Sequence, residues 1–478
     1  MPLLGPPFPL RESDRPGPHL LESSKEYTLM SIVQLRPSFV FNSLLLIATI
    51  SQLASANTLC VNPGGSKGCY ATIQSAVNAA SSNDVINVWA GVYAEAVVIG
   101  KPLALLGAGA EHSIIDANNL PNGILVDGLN NPGLHDVTVS GFTVKNALYE
   151  GVLLLSTVDV TVTGNHIISN DLIPHTFGSG SACKGQPAYE TDESGDCGGG
   201  LHLIGAVGSV ISDNFISENA DGILISDETQ ESRGNLVVRN VVIDNPEECG
   251  IVMASHPPVG SVPPFFAPHY GVDNNTISEN VVSKNGVKVG GAGTGLFSDG
   301  EGPGRVSHNV IIRNELTENG IPGVALHTHV GPNFGAPADD MSANMIIGNF
   351  ISRNGPDGDD TATPGSTGIN INSGGGGSPV LGTVISQNII RDEDVDIAVN
   401  TPAEVDAHLN DLDGGKIGVD NVCTLDGAAC TGTIDATENY WGCHKGPNSN
   451  GCSSTSGPNI LFTPWLEKPI SSSKGASH

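Results

Sequence analysis

The chain has 478 residues, with 20 Lys and Arg against 50 Asp and Glu, which gives a net charge of −30. This charge argues against nucleic acids and anionic membranes as partners, because both require a basic footprint. It also makes a polyanionic sugar an unfavourable ligand without a bridging cation, although an acidic surface serves solubility as well. A solenoid grows by adding coils, so one domain accommodates this length.

The N-terminal region has the pattern of a secretory signal. Residues 1–29 are rich in proline and charge, and we predict that they are disordered or precede the functional start at Met30. Residues 30–56 contain Arg36, an apolar run from Phe39 to Ile50, and Leu53-Ala-Ser-Ala56. This order is typical of a signal peptide cleaved after Ala56. The run is too short for a membrane span, so we expect a mature chain that is extracellular, on the cell surface or periplasmic.

The cysteines agree with an oxidising compartment. Eight of the nine fall into local pairs that predict disulfides: Cys60/Cys69, Cys183/Cys197, Cys423/Cys430 and Cys443/Cys452. Their spacing lacks the Cys-x-x-Cys of zinc sites. Cys249 begins an apolar run and is expected to be a buried thiol.

The segment after Tyr70 predicts a short capping helix followed by strands. Thr72 is a candidate N-cap, and apolar residues follow at helical spacing: Ile73, Ala76, Val77 and Ala80. Three short strands are then predicted: Val85–Val88, Ala96–Ile99 and Leu103–Leu106. A helix at this place covers the open end of the first coil of a solenoid.

A short pattern, Asn-x-ψ-x-x-Asn followed by Gly-ψ-x-ψ with ψ aliphatic, recurs through the chain. Its boxes begin at Asn165, Asn214, Asn240, Asn280, Asn314, Asn349 and Asn388. Each piece has the length and alternation of a short strand, and no single copy buries its own apolar face, so the copies must stack. Stacked asparagines form an amide ladder and tolerate the sharp corners between strands. The pattern predicts an all-β parallel β-helix, with an antiparallel sandwich as the alternative.

The two ends of this region resemble the pectin-lyase-like superfamily of single-stranded right-handed parallel β-helix proteins. The opening TIQSAVNAASSNDVINVWAGVYAEAVVIGKPLALLGAG is similar to the superfamily's first coils, and Glu438-Asn-Tyr-Trp-Gly442 with Phe462-Thr-Pro-Trp-Leu466 is similar to its closing segment. The resemblance implies a β-helix domain over residues 57–466, with a disordered tail at 467–478. It also implies a polysaccharide lyase, glycoside hydrolase, esterase, epimerase or glycan-binding protein. The Leu-Gly-Arg-Pro-Trp segment of pectin esterases is missing, and no catalytic motif matches, so no catalytic residue carries over.

The repeat register supplies candidate site residues. Positions two, four and six after each glycine are expected to point outward. Counting four from Gly222, Gly250, Gly295, Gly323 and Gly368 gives Ser226, Ala254, Asp299, His327 and Asn372. Counting six gives Glu228, His256, Glu301, His329 and Gly374. Consecutive coils would therefore bring carboxylates and imidazoles together on one outer face, beside long inserts.

This patch favours either proton transfer or cation binding. The catalytic candidates are Asp299, Glu301, His327, His329 and His256, with Arg305 to neutralise a uronate. The substrate-binding candidates are Glu228, Phe297, Asn372, Phe265 and Phe266. Calcium is the one candidate cofactor, and its possible ligands are Asp299, Glu301, His327 and His329. The alternative is a solvated surface without chemistry. His202, His166 and His135 are expected to be surface residues.

The sequence thus predicts a secreted carbohydrate-active protein that cleaves a polysaccharide as a lyase or hydrolase. Whether it is an enzyme stays open at this point. The alternative is a non-catalytic adhesive, glycan-binding or envelope protein, since a fold does not fix a function.

Overall fold

A computed structural model describes residues 56–173, 187–190, 198–260, 267–298, 303–328, 337–358, 363–372, 378–400, 402–413, 415–422 and 432–470. The predicted segment 1–29, nearly all of the predicted signal peptide and the tail from residue 471 lie outside these ranges. So do several predicted site and disulfide residues: Asp299, Glu301, His329, Phe265, Phe266, Cys183, Cys197, Cys423 and Cys430. Those predictions stay predictions.

The described strands form three long parallel sheets and one small one. Sheet A contains β1 (Thr58–Val61), β2 (Asp84–Val88), β5 (Leu103–Gly107), β8 (Val137–Ser140), β11 (Thr161–Thr163), β14 (Val210–Ser212), β18 (Leu236–Val238), β22 (Thr276–Ser278), β25 (Val310–Ile312), β28 (Met345–Ile347), β31 (Val380–Ser386), β34 (Ala403–His408), β37 (Thr433–Asp435) and β39 (Ile460–Leu461). Sheet B contains β3 (Gly91–Ala94), β6 (Ser113–Asp116), β9 (Thr143–Lys145), β12 (His166–Ile168), β15 (Phe215–Ser217), β19 (Val241–Ile243), β23 (Val281–Ser283), β26 (Glu315–Thr317), β29 (Phe350–Ser352), β32 (Ile389–Arg391) and β35 (Asp411–Leu412).

Sheet C contains β4 (Val97–Ile99), β7 (Ile124–Asp127), β10 (Val152–Leu155), β13 (Leu201–Ile204), β16 (Ile223–Ser226), β20 (Ile251–Ser255), β24 (Thr294–Ser298), β27 (Val324–Thr328), β30 (Thr367–Asn372), β33 (Val395–Asn400), β36 (Ile417–Asn421) and β38 (Ser454–Ser456). The small sheet pairs β17 (Ser232–Arg233) with β21 (Val272–Asp273). Because the chain visits sheets A, B and C in turn and each strand pairs in parallel with its counterpart one coil away, the molecule is a parallel β-helix.

The N-terminal end is covered by the predicted helix. Helix α1 (Ile73–Ala79) follows a short 3-10 turn at Ser66–Gly68, and Thr72 caps it by accepting a hydrogen bond from the Ser75 amide at 3.2 Å. Its apolar side contacts β1, β2 and β4. The helix therefore closes the end of the core that the first coil would otherwise expose. No helix among the described residues is long and apolar enough to span a membrane.

Asparagine ladders run along the corners between the sheets, as the repeat predicts. The first Asn of each box donates its side-chain amide to the next, as in Asn240 to Asn280 at 3.0 Å and Asn280 to Asn314 at 2.9 Å. Each side-chain oxygen also accepts the backbone amide of the Asn one coil earlier, as in Asn240 N to Asn280 Oδ1 at 2.9 Å. These side chains are buried, so the ladder satisfies polar groups that the corners would otherwise leave without partners. The ladder prediction is confirmed.

Two of the predicted disulfides lie within the described residues, and both are present: Cys60–Cys69 and Cys443–Cys452. Each closes a loop of the first or last coils. Cys249 is a buried thiol, as predicted, and its sulfur accepts the Ala292 amide.

One coil breaks the repeat at two buried positions. Glu393 replaces the second ladder asparagine and accepts both the backbone and side-chain amides of Asn354, at 2.9 and 3.0 Å. Asp396 occupies the place of Gly368 in the preceding coil, because Ile369 pairs with Ile397. Among the described atoms, neither Asp396 carboxylate oxygen has a hydrogen-bond partner. Burial raises the pKa of Glu393 to about 7 and the pKa of Asp396 well above its ordinary value, and the Glu393 charge adds to the latter rise.

Because the pKa values of Glu393 and Asp396 are raised, we expect their contribution to the unfolding free energy to be larger at acidic than at alkaline pH. A carboxyl with a raised pKa in the folded chain stabilises the fold below its unfolded pKa, and this contribution is lost as the pH rises through its folded pKa. For Glu393 the window runs from its ordinary value to about 7. We expect its contribution to the unfolding free energy to fall by on the order of 2–3 kcal/mol between pH 5 and pH 8. Urea denaturation at the two pH values measures this.

The variant Glu393→Gln keeps the acceptor for Asn354 and removes the titration. It should raise stability at pH 8 and leave it nearly unchanged at pH 5. Glu438→Gln, at an exposed position, is the matched control and should leave the pH dependence unaltered. Equal pH dependence in wild type and Glu393→Gln would contradict the assignment.

Candidate active site

The outer face of sheet C is set by one register position in each coil. Ile223, Ile251, Thr294 and Val324 align across β16, β20, β24 and β27 and point into the core or toward it. The residue before Thr294 is Gly293, which is therefore the register glycine of its coil. The sequence-based count from Gly295 is wrong, because Gly295 aligns with Val252 and Ala325, two positions after the register glycines.

This correction changes the neighbours of His327. Phe297 pairs with His327 across β24 and β27, and their rings stack with centroids 4.2 Å apart at an interplanar angle of 28°. Phe297 therefore takes the position beside His327 that the sequence count gave to Asp299, and Asp299 itself lies outside the described residues. His327 itself is buried, with 4% of its surface exposed. Several glycines of the run Gly291-Ala-Gly-Thr-Gly295 fit the repeat pattern. The sequence-based count therefore began two residues too late, at Gly295 instead of Gly293.

Described residues from four consecutive coils form a row of polar contacts beside this stack, and those from three of the coils are joined by hydrogen bonds. Ser226 donates to Glu228 Oε2 at 2.6 Å, and its oxygen lies 2.8 Å from His202 Nε2. The other oxygen, Glu228 Oε1, lies 2.8 Å from His256 Nδ1. The Glu150 carboxylate lies 3.8 Å from His202 Nδ1 at the far end of the row. All five side chains are buried, so the row is a continuous polar path inside an otherwise apolar layer.

The protonation pattern of the row follows from its donors and acceptors. A hydroxyl has one hydrogen, so Ser226, which donates to Glu228, accepts from His202 Nε2. A carboxylate only accepts, so the proton on His256 is held at Nδ1 by Glu228. This leaves Nε2 of His256 as the basic nitrogen. An imidazole oriented in this way by a carboxylate is the usual form of a histidine general base.

Asp227 fixes the chain around this pair. Its carboxylate accepts the backbone amides of His256 and Gly271, and Ser255 Oγ donates to it at 3.2 Å. Burial raises the pKa of Asp227 to about 7, and the neighbouring Glu228 charge adds to the rise. His269 in turn lies 3.0 Å from Ser255 Oγ through Nδ1. Asp227 therefore positions His256 through its backbone rather than through its ring.

Arg305, predicted as a cation for a uronate, is engaged elsewhere. Its guanidinium forms ion pairs with Glu231 at 2.8 Å and Asp273 at 2.6 Å, and donates to the Tyr270 carbonyl at 2.7 Å. Two carboxylates compensate its single charge. It ties β17 and β21 together at the edge of the site.

The remaining described candidate, Asn372, is buried. It stands one coil beyond His327 at the same register position, and it aligns with Asn400 in the coil after that. Next to it, Asn370 donates to Asp357 at 2.8 Å. Within the described part of the chain, no three His, Cys, Asp or Glu side chains are grouped so that they would hold a metal ion. Three of the four proposed calcium ligands lie outside those ranges.

The sequence did not predict that His202 and Glu150 belong to the site, or that Ser226 connects His202 to Glu228. The expectation that His202 is a surface residue is wrong, since only 1% of its surface is exposed. His166 and His135 are partly or largely exposed, as expected. The available signal was the register: His202 lies two positions after Gly200 and Ser226 lies four after Gly222. Glu150 directly precedes Gly151, in a turn where the repeat makes no prediction.

Comparisons with known proteins agree with this architecture. Residues 108–262 match the family model of a right handed beta helix region. The A-module of a mannuronan C-5 epimerase from Azotobacter vinelandii is similar in structure, with a TM-score of 0.52 and 14% identity over 83% of this chain and 94% of that chain. No curated protein matches the sequence significantly.

Two further structures are similar. The catalytic unit of a GH87 alpha-1,3-glucanase from Streptomyces thermodiastaticus has a TM-score of 0.51 and 15% identity over 87% of this chain and 70% of that chain. The Dettilon tailspike protein has a TM-score of 0.51 and 12% identity over 84% of this chain and 68% of that chain. Identities this low establish the fold alone. The predicted fold, a right-handed parallel β-helix, is confirmed.

Proposed function

We propose that this right-handed parallel β-helix protein is a secreted enzyme that cleaves a polysaccharide on the outer face of sheet C. The observation that carries the proposal is the Glu228–His256 pair, an imidazole held at 2.8 Å by a carboxylate. Glu228 and His256 lie six residues after their register glycines, whereas Phe297 and His327 lie four residues after theirs, so the pair and the stack occupy neighbouring positions on one face. A solenoid aligns such groups along its axis, which is the direction in which an extended glycan would lie.

The chemistry assigned to the pair is general base catalysis. Glu228 holds His256 Nδ1–H, so that Nε2 accepts a proton from the reacting group and returns it later. The same Glu228 is connected to His202 through Ser226. This row fixes the orientation of the carboxylate, and hence of the ring.

The flat rings of Phe297 and His327 supply a stacking surface. Aromatic faces bind the apolar faces of sugar rings, and Phe297 is the less buried of the two. Asn372 and Asn370 continue the row of polar residues in the next coil, where both are buried. A glycan-binding protein without catalysis would use the same stack, but it would have no need of an oriented imidazole.

Secretion rests on the predicted signal peptide together with the two disulfides of the described chain. Disulfides persist in oxidising compartments and are rare in reducing ones.

The test is a panel of polysaccharides incubated with the purified mature chain and assayed for new reducing ends and for unsaturated products in the ultraviolet. Parallel reactions contain calcium or a chelator. We expect at least one glycan to be depolymerised. Glycan binding without product would instead favour the adhesive alternative.

Both members of the pair are buried in this structure: His256 is 3% exposed. Catalysis therefore requires an open form in which the imidazole contacts the sugar. Hydrogen exchange of the β20 segment, measured with and without oligosaccharide, tests for that form, and a segment that never opens would contradict the site assignment.

A further inference from the structure

We infer that the glycan bound by this face is an uncharged polysaccharide, and not a polyuronate. The inference rests on the proposed function and adds the substrate class. It is carried by the distribution of cationic side chains around sheet C.

The twelve described strands of sheet C contain no lysine or arginine. Their ionisable residues are acidic or imidazole: Asp127, His202, His327, Asp396 and Asp420. The ends of these strands add Glu150, Asp227 and Glu228, and Lys416 before β36 is paired with Asp394 at 2.8 Å. A polyuronate carries one negative charge on each sugar, so it would meet a face that offers no fixed positive charge.

The arginines at the edge of the site do not make up this deficit. Arg233 pairs with Glu231 at 2.8 Å, and Arg305 pairs with Glu231 and Asp273. Two arginines thus face two carboxylates, and no positive charge remains in surplus for a substrate.

Two of the segments that flank the strands have the same bias, whereas the connection before β24 carries Lys284 and Lys288, of which Lys288 pairs with Glu247. The segment 174–197, between β12 and β13, contains one lysine, Lys184, against four acidic residues: Glu190, Asp192, Glu193 and Asp196. The segment 299–302, which follows β24, contains Asp299 and Glu301 and no basic residue. Neither segment carries a surplus of positive charge.

An uncharged substrate also selects between the two cleavage reactions. Elimination requires a C–H bond made acidic by a neighbouring uronate carboxylate, which a neutral sugar lacks. Hydrolysis does not: the water oxygen bonds to the anomeric carbon, the glycosidic oxygen leaves with a proton, and a new reducing end appears. We therefore expect reducing ends without unsaturated products.

The test is binding of size-matched oligosaccharides to the full chain by calorimetry, in 20 and 300 mM NaCl, in parallel titrations with a chelator and with calcium. The set contains neutral hexose oligomers, oligouronates and glucosamine oligomers. We expect a neutral oligomer to bind at least tenfold more tightly than any oligouronate at low salt, with less than a twofold change at high salt. Residual oligouronate binding should strengthen with salt, because screening weakens repulsion.

A charge variant sharpens the test. Removing one nearby negative charge with Glu228→Gln should tighten oligouronate binding by roughly threefold to fivefold at 20 mM NaCl. Neutral oligomers should not share this gain. Glu438→Gln, exposed and in the closing segment, is the matched control and should change neither affinity.

The outcomes separate the two proposals. Tightest binding by an oligouronate or a glucosamine oligomer overturns the substrate class, as does calcium-dependent oligouronate binding that exceeds neutral binding. Product from a polyuronate also overturns it while leaving the catalytic proposal intact. Neutral binding without any product keeps the substrate class and removes the enzyme. If none of the oligomers binds, neutral or charged, both proposals are contradicted.

Discussion

Replacing His256 with asparagine is expected to lower the turnover of the cleaved glycan by roughly 10²–10⁴-fold. The asparagine side chain places a polar group near the position of Nδ1, so Glu228 keeps a partner. It has no counterpart to Nε2, so the general base is lost. Initial rates of reducing-end formation at saturating substrate, with KM measured in parallel, provide the test. A loss in kcat with little change in KM is the expected signature.

His166→Asn is the matched control. His166 lies on sheet B and contacts Phe215 edge to face, away from the outer face of sheet C. Its variant should retain wild-type turnover, and both variants should unfold at similar denaturant concentrations. If His256→Asn retains activity within about twofold of wild type, His256 is not the base.

Replacing Asn280 with alanine is expected to lower the free energy of unfolding by about 3–5 kcal/mol, because several buried polar groups lose a partner at once. Asn280 accepts the backbone and side-chain amides of Asn240 and donates to the Val237 carbonyl at 3.0 Å and to Asn314. Water does not reach these groups, so each orphaned donor or acceptor costs its full desolvation penalty. Urea denaturation measures the loss.

Asn78→Ala provides the comparison for this variant. Asn78 is exposed on α1, and among the described contacts its side chain accepts a single surface bond, from the Gln74 side chain at 2.9 Å. Its substitution should change stability by less than about 0.5 kcal/mol. An Asn280→Ala loss of under 1 kcal/mol would show that the ladder is not a major source of stability.

The fold could be predicted from the sequence because its determinants are local and repeated. The asparagine box, the glycine that follows it and the alternating aliphatic residues recur in each coil. The capping helix and the buried state of Cys249 follow from the same kind of short pattern. Each unit has one way to satisfy its corner amides and bury its apolar face, namely by stacking on its neighbour.

The candidate site could be predicted from the sequence only in part. Glu228, His256, His327, Phe297 and Asn372 were identified as outward positions near one another, and the structure places them along one face. Their pairing was not predicted, because the run Gly291-Ala-Gly-Thr-Gly295 allows more than one register. The pairing of β24 with β20 and β27 selects Gly293 as the register glycine and so brings Phe297 beside His327.

The sequence alone therefore determined the architecture, the ends of the solenoid and the set of polar residues that face outward. Only the tertiary structure decided which of these touch. Periodicity within a coil is set by the alternation of a strand, whereas contacts between coils depend on register and on loop length, which differ from one repeat to the next. It is this register that links His202 to Glu228 through Ser226, and that leaves Arg305 paired with Glu231 and Asp273.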